Sequence, residues 1–513
     1  MASSFKKIFS TFMQNPRNLT HPSLSTSRIH VFAISLLLLS LIFLSSSLAN
    51  HSFALTAASL ASRLLTAANY VSPFTSVPCS SSNTCLVSDS RDNCMFSSVT
   101  AMQKTRSSDS IQSESDVIQE LSSCDIFDGK WVDDSDPIYP PGYCPYIDDS
   151  FNCFKNGRLD TDYLKYKWKP HGCHIPRFDG RKMLEILRGK RLVFVGDSLN
   201  RNMWGSLLCA LRESLKDKSR VIEVSGRRQF RSQGFFSYKF RDYGCSIDFI
   251  KSPFLVQEWK GSDKRGKRRE TLRLDMIEGS SSKYSDADII IFNTGHWWTH
   301  QKTYKGKRYF QEGSHVYNNL EVTEAYTKAL RTWAQWVDAN INSTRTRVFF
   351  RGYSASHFRK GQWYSGGRCD AERQPIMNDT QLTAYPWMMR ALESVIAEMK
   401  TPVFYLNITK MTAYRQDGHP SIYRSREIPR NSGMIQDCSH WCLPGVPDSW
   451  NELLYATLLI SQNKCNVLSG SLSHSMATRP QKKWLEAQAL SEKQTGALLE
   501  FRSELYSERK ILA

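Results

Sequence analysis

The chain lacks internal repeats, a nucleic-acid-binding motif and the Cys-x-x-Cys spacing of a zinc ribbon, and each gap removes a class of protein. Without repeats it is no solenoid or array. Its 13 cysteines include one close pair, Cys438 and Cys442, which brackets a histidine but has no second ligand pair nearby. Disulfides are therefore expected, with at least one thiol left over, and a metal site is not. Acidic residues are the scarcer charge: 67 Lys and Arg stand against 49 Asp and Glu, for a formal charge of +18. With no motif for DNA or RNA, that charge suits an acidic polysaccharide or an anionic lipid and excludes a nucleic-acid partner. Part of it lies in 260–269, which reads as an exposed hairpin loop. Apolar residues are not lacking: 41% hydrophobic and 12% aromatic content fit a folded, enzyme-sized core.

The first 28 residues carry Lys6, Lys7, Arg17 and Arg28 with no acidic residue, and Ile29 to Ala49 is then almost wholly apolar or serine. That run matches the ~20 residues that span a bilayer. The tail ahead of it is long for a signal peptide, so residues 29–49 read as one membrane anchor rather than a cleaved leader. The positive-inside rule leaves 1–28 as a cytosolic tail and the rest of the chain luminal or extracellular. Three sequons, beginning at Asn342, Asn378 and Asn407, fall on that side. Residues 50–123, rich in Ser, Thr and Ala with little periodicity, predict a flexible stem. Order is expected from about Cys124, where cysteines, aromatics, Pro and Gly crowd into a small loop-rich region ending near residue 176.

One stretch organises the remainder, Arg191-Leu-Val-Phe-Val-Gly196-Asp197-Ser198-Leu-Asn-Arg201-Asn202. Leu192–Val195 is too short for a helix and shows no polar alternation, which predicts a strand covered on both faces. Gly196 permits a sharp reversal, and Asp197 is a good cap for a following helix. Ser198 would then sit at the carboxyl edge of a sheet, where open α/β sheets bind ligands. A helix is predicted over 202–216, then a β-hairpin insertion over 221–277, in which 235–240, 245–250 and 271–276 alternate like half-exposed strands. Further apolar runs over 287–292, 347–350 and 402–406 alternate with helical patterns over 321–339 and 384–399. Each run ends in polar residues, so a mainly parallel sheet gathers Ser198, Asn293, His296 and Arg351 along one edge.

A nucleophilic serine needs a base. His440 lies three residues after Asp437, so on one helical turn the carboxylate would orient the imidazole and stabilise its cation. In the competing reading, Asp437 caps a helix and His440 is structural. His296 is a rival base, with His357 and His419 behind it. Asn293 could donate to an oxyanion alongside the Ser198 backbone N–H. Gly196, Arg201, Asn202, His296 and Arg351 complete the candidates for holding an oxyanion or substrate. Trp297 and Trp298 either fill core or stack on sugar.

Together, Gly196-Asp197-Ser198-Leu-Asn-Arg-Asn, Asn293-Thr-Gly-His-Trp-Trp298, Arg351-Gly-Tyr-Ser-Ala-Ser-His357 and Asp437-Cys-Ser-His-Trp-Cys-Leu-Pro-Gly445 resemble the trichome birefringence-like proteins of plants, most of all the trichome birefringence protein itself. The resemblance runs from about Cys124 to Leu459. It implies a type II Golgi membrane protein with a cysteine-rich N-terminal domain (124–176) and a serine-esterase-like α/β domain (177–460). Ser198 becomes the nucleophile, His440 the base and Asp437 its orienting partner. The implied reaction moves an acetyl group from acetyl-CoA or another carrier to a hydroxyl of a cell-wall polysaccharide, pectin or xylan-type, with no bound cofactor. Implied disulfides are Cys124–Cys173, Cys144–Cys209, Cys153–Cys442 and Cys369–Cys438, leaving Cys245 and Cys465 unmatched. Two other readings remain open: a bridging protein that binds wall polymers without catalysis, and an acetyl esterase using water. Residues 461–513 depart from the family's short ending, with helical periodicity and heavy charge over 482–511.

Overall fold

The computed structural model describes residues 114–474 apart from 135, 227–233, 263–265, 267 and 427–434. The expected cytosolic tail, anchor and most of the stem lie outside the described residues, as do the helical pattern over 482–511 and the centre of the 260–269 loop. Among the described residues no helix is long and apolar enough to cross a membrane.

Helix α1 (Glu114–Ser122) falls inside the span expected to be stem, because Ile118 and Leu121, one turn apart, are buried in the main core. Strands β1 (Gly129–Asp133) and β2 (Tyr166–Pro170) pair antiparallel and set Trp131 edge-on to Trp168 at 5.7 Å. Helix α2 (Gly180–Ile186), capped by Asp179, leads into β3 (Arg191–Gly196), and α3 (Ser198–Glu213) begins two residues later. There follow β4 (Val221–Glu223), β5 (Phe235–Phe240), β6 (Cys245–Lys251), β7 (Val256–Ser262), β8 (Arg268–Ile277), β9 (Ile289–Phe292), β10 (Phe310–Glu312) and β11 (His315–Val316). Helix α4 (Val322–Asn340), β12 (Arg347–Arg351), α5 (Trp387–Ala397), β13 (Val403–Leu406), α6 (Thr409–Ala413) and α7 (Val446–His474) complete the order.

The central sheet runs β13-β12-β9-β3-β6-β5-β4, parallel from β13 to β6 and antiparallel at the β5 and β4 edge. Leu192, Val193, Phe194 and Val195 are all 0% exposed. Because side chains alternate across a strand, Leu192 and Phe194 enter one core while Val193 and Val195 enter the other. The first core takes Leu199, Met203 and Leu207 of α3 with Trp450 and Leu453 of α7. The second takes Tyr326 and Trp333 of α4 with Met389 and Leu392 of α5. Helices thus cover both faces, as a parallel sheet requires.

Three expectations need correction. The β insertion is two things: β7 and β8 join β10 and β11 in a separate four-stranded sheet, whereas β4, β5 and β6 belong to the central sheet. The alternation of 245–250 suggested half exposure, but its polar position Asp248 is buried, with Ser237 and Arg191 on its carboxylate. Helix α3 starts at Ser198 rather than near Asn202, because Asn200 and Asn202, which break the apolar periodicity, are buried and hydrogen-bonded. The small cysteine-rich lobe packs beside the central sheet, with Trp131 and Trp168 sharing the core of Leu192 and Phe194.

Among the described residues four disulfides are formed, Cys124–Cys173, Cys144–Cys209, Cys153–Cys442 and Cys369–Cys438, the pairing the resemblance implied. Cys245 is a buried free thiol, pushed up to about 12 by burial.

Candidate active site

The turn after β3 is built by Gly196 and Asn293. Gly196 has φ +156°, and a Cβ there would lie 1.9 Å from Asn293 Oδ1. The space a side chain would need is occupied by the amide that accepts from Asp197 N at 3.1 Å and donates to Asp197 Oδ1 at 2.8 Å. Asp197 caps α3 by accepting from Leu199 N at 2.9 Å. Ser198 is therefore the first residue of a helix, where backbone N–H groups lack intrahelical acceptors and the dipole favours negative charge.

His440 Nε2 is 2.6 Å from Ser198 Oγ, and its Nδ1 is 2.8 Å from Asp437 Oδ2. Asp437 Oδ1 accepts from Ser439 N at 3.2 Å and His440 N at 3.1 Å. The segment is a turn, not the helical turn expected, and Asp437 caps no helix. Burial would raise the Asp437 pKa, but the His440 charge and hydrogen bonds from His440 and Ser439 hold it well below the ordinary carboxylate value. An ionised Asp437 accepting from Nδ1–H leaves Nε2 as the atom that takes the hydroxyl proton. Phe151, from the cysteine-rich region, packs against the imidazole with ring centroids 5.1 Å apart. Nothing in periodicity pointed to Phe151; its place two residues before Cys153, whose partner Cys442 lies two after His440, is the signal that could have.

The other candidates hold the frame rather than the reacting atoms. Asn202 clamps the catalytic loop, accepting from Trp441 N at 2.8 Å and donating to Trp441 O at 3.1 Å. Arg201 pairs with Asp148 at 2.7 Å and lies over the Phe151 ring. Arg351, 1% exposed, donates to Gly352 O and stands 4.0 Å from Asp197. Burial lowers its pKa to about 10, so it stays charged near neutrality and balances Asp197, whose own tendency to rise on burial is outweighed by His296, Arg351 and Asn293. His296 is 3.8 Å from Asp197 Oδ2, and its Nε2 lies 2.8 Å from Ser354 O. Burial holds it below the ordinary histidine value. It is no rival base. His357 and His419 contact each other at 2.7 Å, and His419 Nδ1 donates to His440 O at 2.7 Å. Trp298 is core, and Trp297 is half-buried against the same core. Asn342 and Asn378 are exposed, while Asn407 is half-buried near Tyr385. Among the described residues no cluster of His, Cys, Asp and Glu could hold a metal ion.

The model of a GDSL/SGNH-like acyl-esterase family found in Pmr5 and Cas1p matches residues 175–457, and that of the PMR5 N-terminal domain matches 122–174. Protein trichome birefringence-like 4 of Arabidopsis thaliana is 62% identical over 424 residues, covering 81% of this chain and 90% of that protein. Protein trichome birefringence of the same plant is 58% identical over 351 residues, covering 67% of this chain and 58% of that protein. Protein trichome birefringence-like 1 is 58% identical over 349 residues, covering 67% and 63%. Identity with the fourth member thus exceeds that with the protein the motifs most resembled.

Proposed function

Since the chain belongs to the trichome birefringence-like family and carries its N-terminal and acyl-esterase-like domains, we propose that it is a polysaccharide O-acetyltransferase working through an acetyl-Ser198 intermediate. The observation that carries this reading is the 2.6 Å contact between His440 Nε2 and Ser198 Oγ, with Asp437 behind the ring.

In the first half-reaction Ser198 Oγ attacks the acetyl carbonyl of a donor, acetyl-CoA or another carrier, as Nε2 takes the hydroxyl proton. The oxyanion forms beside the N-terminus of α3, where the Ser198 N–H stands. Nε2 then protonates the leaving group. In the second half, a wall-polysaccharide hydroxyl, pectin or xylan-type, gives its proton to Nε2 and attacks the acetyl carbonyl, and Ser198 departs with that proton. Asn293 and Arg351 act in this scheme through Asp197, keeping the turn rigid. The four disulfides among the described residues, in a homologue of plant proteins, fit the secretory pathway. The proposed address is the Golgi membrane, anchored by residues 29–49 with the catalytic domain luminal.

The test is transfer of a labelled acetyl group to a panel of wall oligosaccharides by the full chain, beside Ser198→Ala. Labelled product that falls by about 10³-fold or more in the variant supports the transferase. Release of acetate with no labelled sugar supports an esterase. Equal polymer binding by both proteins, with no chemistry in either, supports a bridging protein.

A further inference from the structure

Beside the Ser198 turn lies a group of side chains that the reaction does not use. Lys302, half-buried, has its Nζ 4.7 Å from the Trp297 ring centroid and 5.4 Å from that of Trp363. The ammonium is therefore within cation–π reach of two indoles. It donates to His296 O at 3.2 Å, and no carboxylate lies within ion-pair distance of it among the described residues. An exposed second ammonium, Lys251, is 5.9 Å from the Trp297 centroid on a strand whose register sets it opposite Gly196. Lys251 likewise has no ion-pair partner among the described residues.

The group is tied to the reacting atoms from two directions. Trp297 and Lys302 follow β9, with His296 between them and Asp197. Trp363 sits in a loop fixed at both ends to Cys438, by the hydrogen bond from His357 N to Cys438 O at 3.0 Å and by the Cys369–Cys438 disulfide. Cys438 is two residues before His440. Trp363 remains 38% exposed, so an indole face is open to a ligand while its loop is rigid with respect to the base.

Burial disfavours the Lys302 charge, and the distant Asp197 and Asp437 carboxylates only partly oppose that. A desolvated ammonium stabilised by ring faces but lacking a carboxylate fits a site whose counter-ion arrives with the ligand. A sugar ring suits the indole face, and a carboxylate on that ring suits the ammonium. We propose that Lys302, Trp297, Trp363 and Lys251 form an acceptor subsite for a hexuronate residue of the polysaccharide, next to the hydroxyl that is acetylated. This rests on the transferase reading of Ser198 and deepens it by naming the acceptor class as acidic.

Binding of an oligogalacturonide and of a neutral xylo-oligosaccharide to the full chain, without acetyl donor, tests this in Lys302→Gln, Lys251→Gln and Trp363→Ala. Oligogalacturonide affinity is expected to fall about tenfold in K302Q and to weaken with salt, while xylo-oligosaccharide affinity stays within about twofold. W363A is expected to weaken both sugars, and K251Q the acidic one alone. K251Q, on the surface, carries the test if K302Q does not fold. Unchanged oligogalacturonide affinity in K302Q and K251Q overturns the proposal, as does equal loss of both sugars in K302Q. Loss of acetyl-CoA binding in K302Q with oligogalacturonide binding intact also overturns it, by giving the charge to the donor. Because the readout is binding, it is separable from chemistry: selective binding without transfer contradicts the transferase alone, and transfer with no lysine effect contradicts the subsite alone.

Discussion

Asn202 shows how a side chain can control chemistry it does not touch. Its carboxamide makes two hydrogen bonds to the backbone of Trp441, the residue after His440, and so fixes the loop to the helix that begins at Ser198. Asn202→Ala leaves a buried N–H and C=O unsatisfied, at a cost of about 1–3 kcal/mol each. The expected outcome is a fall in kcat with KM nearly unchanged and a lower melting temperature, measured by steady-state kinetics and calorimetry. A direct substrate contact would instead raise KM. The sequence marked Asn293, His296 and Arg351 as belonging to the site, because polar residues at strand tips converge there. Their ties to one another were not legible, for one physical reason. A buried carboxylate, Asp197, demanded hydrogen bonds and a counter-charge, and these groups answer it before any substrate can.

At the scale of elements, the catalytic loop owes its shape to covalent and backbone ties rather than to helical propensity. Cys153–Cys442 and Cys369–Cys438 bracket His440 on both sides, and Asp437 and Ser421 exchange backbone hydrogen bonds at 3.1 and 2.8 Å. The loop can therefore hold an i,i+3 pair without a helix. Replacing Cys153 and Cys442 together by Ser is expected to cost about 2–5 kcal/mol and to lower kcat beyond what the loss of folded protein explains. Replacing Cys124 and Cys173, both in the N-terminal region, should lower stability with kcat per folded molecule unchanged. Equal effects on kcat would contradict the bracket argument; activity normalised to folded fraction measures it. The buried strands β3, β9, β12 and β13 were legible, since four-residue apolar runs have few other uses. Strand β6 was legible as a strand but not as a buried one, because a buried polar pair, Asp248 with Ser237, imitates the alternation of a half-exposed strand.

For the folded domain as a whole, the site is a joint product of the two family segments. The cysteine-rich region supplies Phe151 against His440, and Arg158, whose guanidinium donates to His419 O at 3.0 Å and Asp417 O at 2.8 Å beneath the same loop. Such long-range contacts leave no periodic trace, so they were invisible in sequence even where the disulfides between the segments were implied by resemblance. The central claim is that Ser198 carries the acetyl group between donor and sugar, and it is tested most directly by mass spectrometry of the full chain quenched after mixing with acetyl donor alone. The account predicts that the peptide containing Ser198 gains the mass of one acetyl group, that the adduct is lost on adding acceptor oligosaccharide, and that Ser198→Ala never acquires it. Acetyl transfer to sugar by a protein whose Ser198 stays unmodified under every quench, or undiminished transfer by Ser198→Ala, would contradict it.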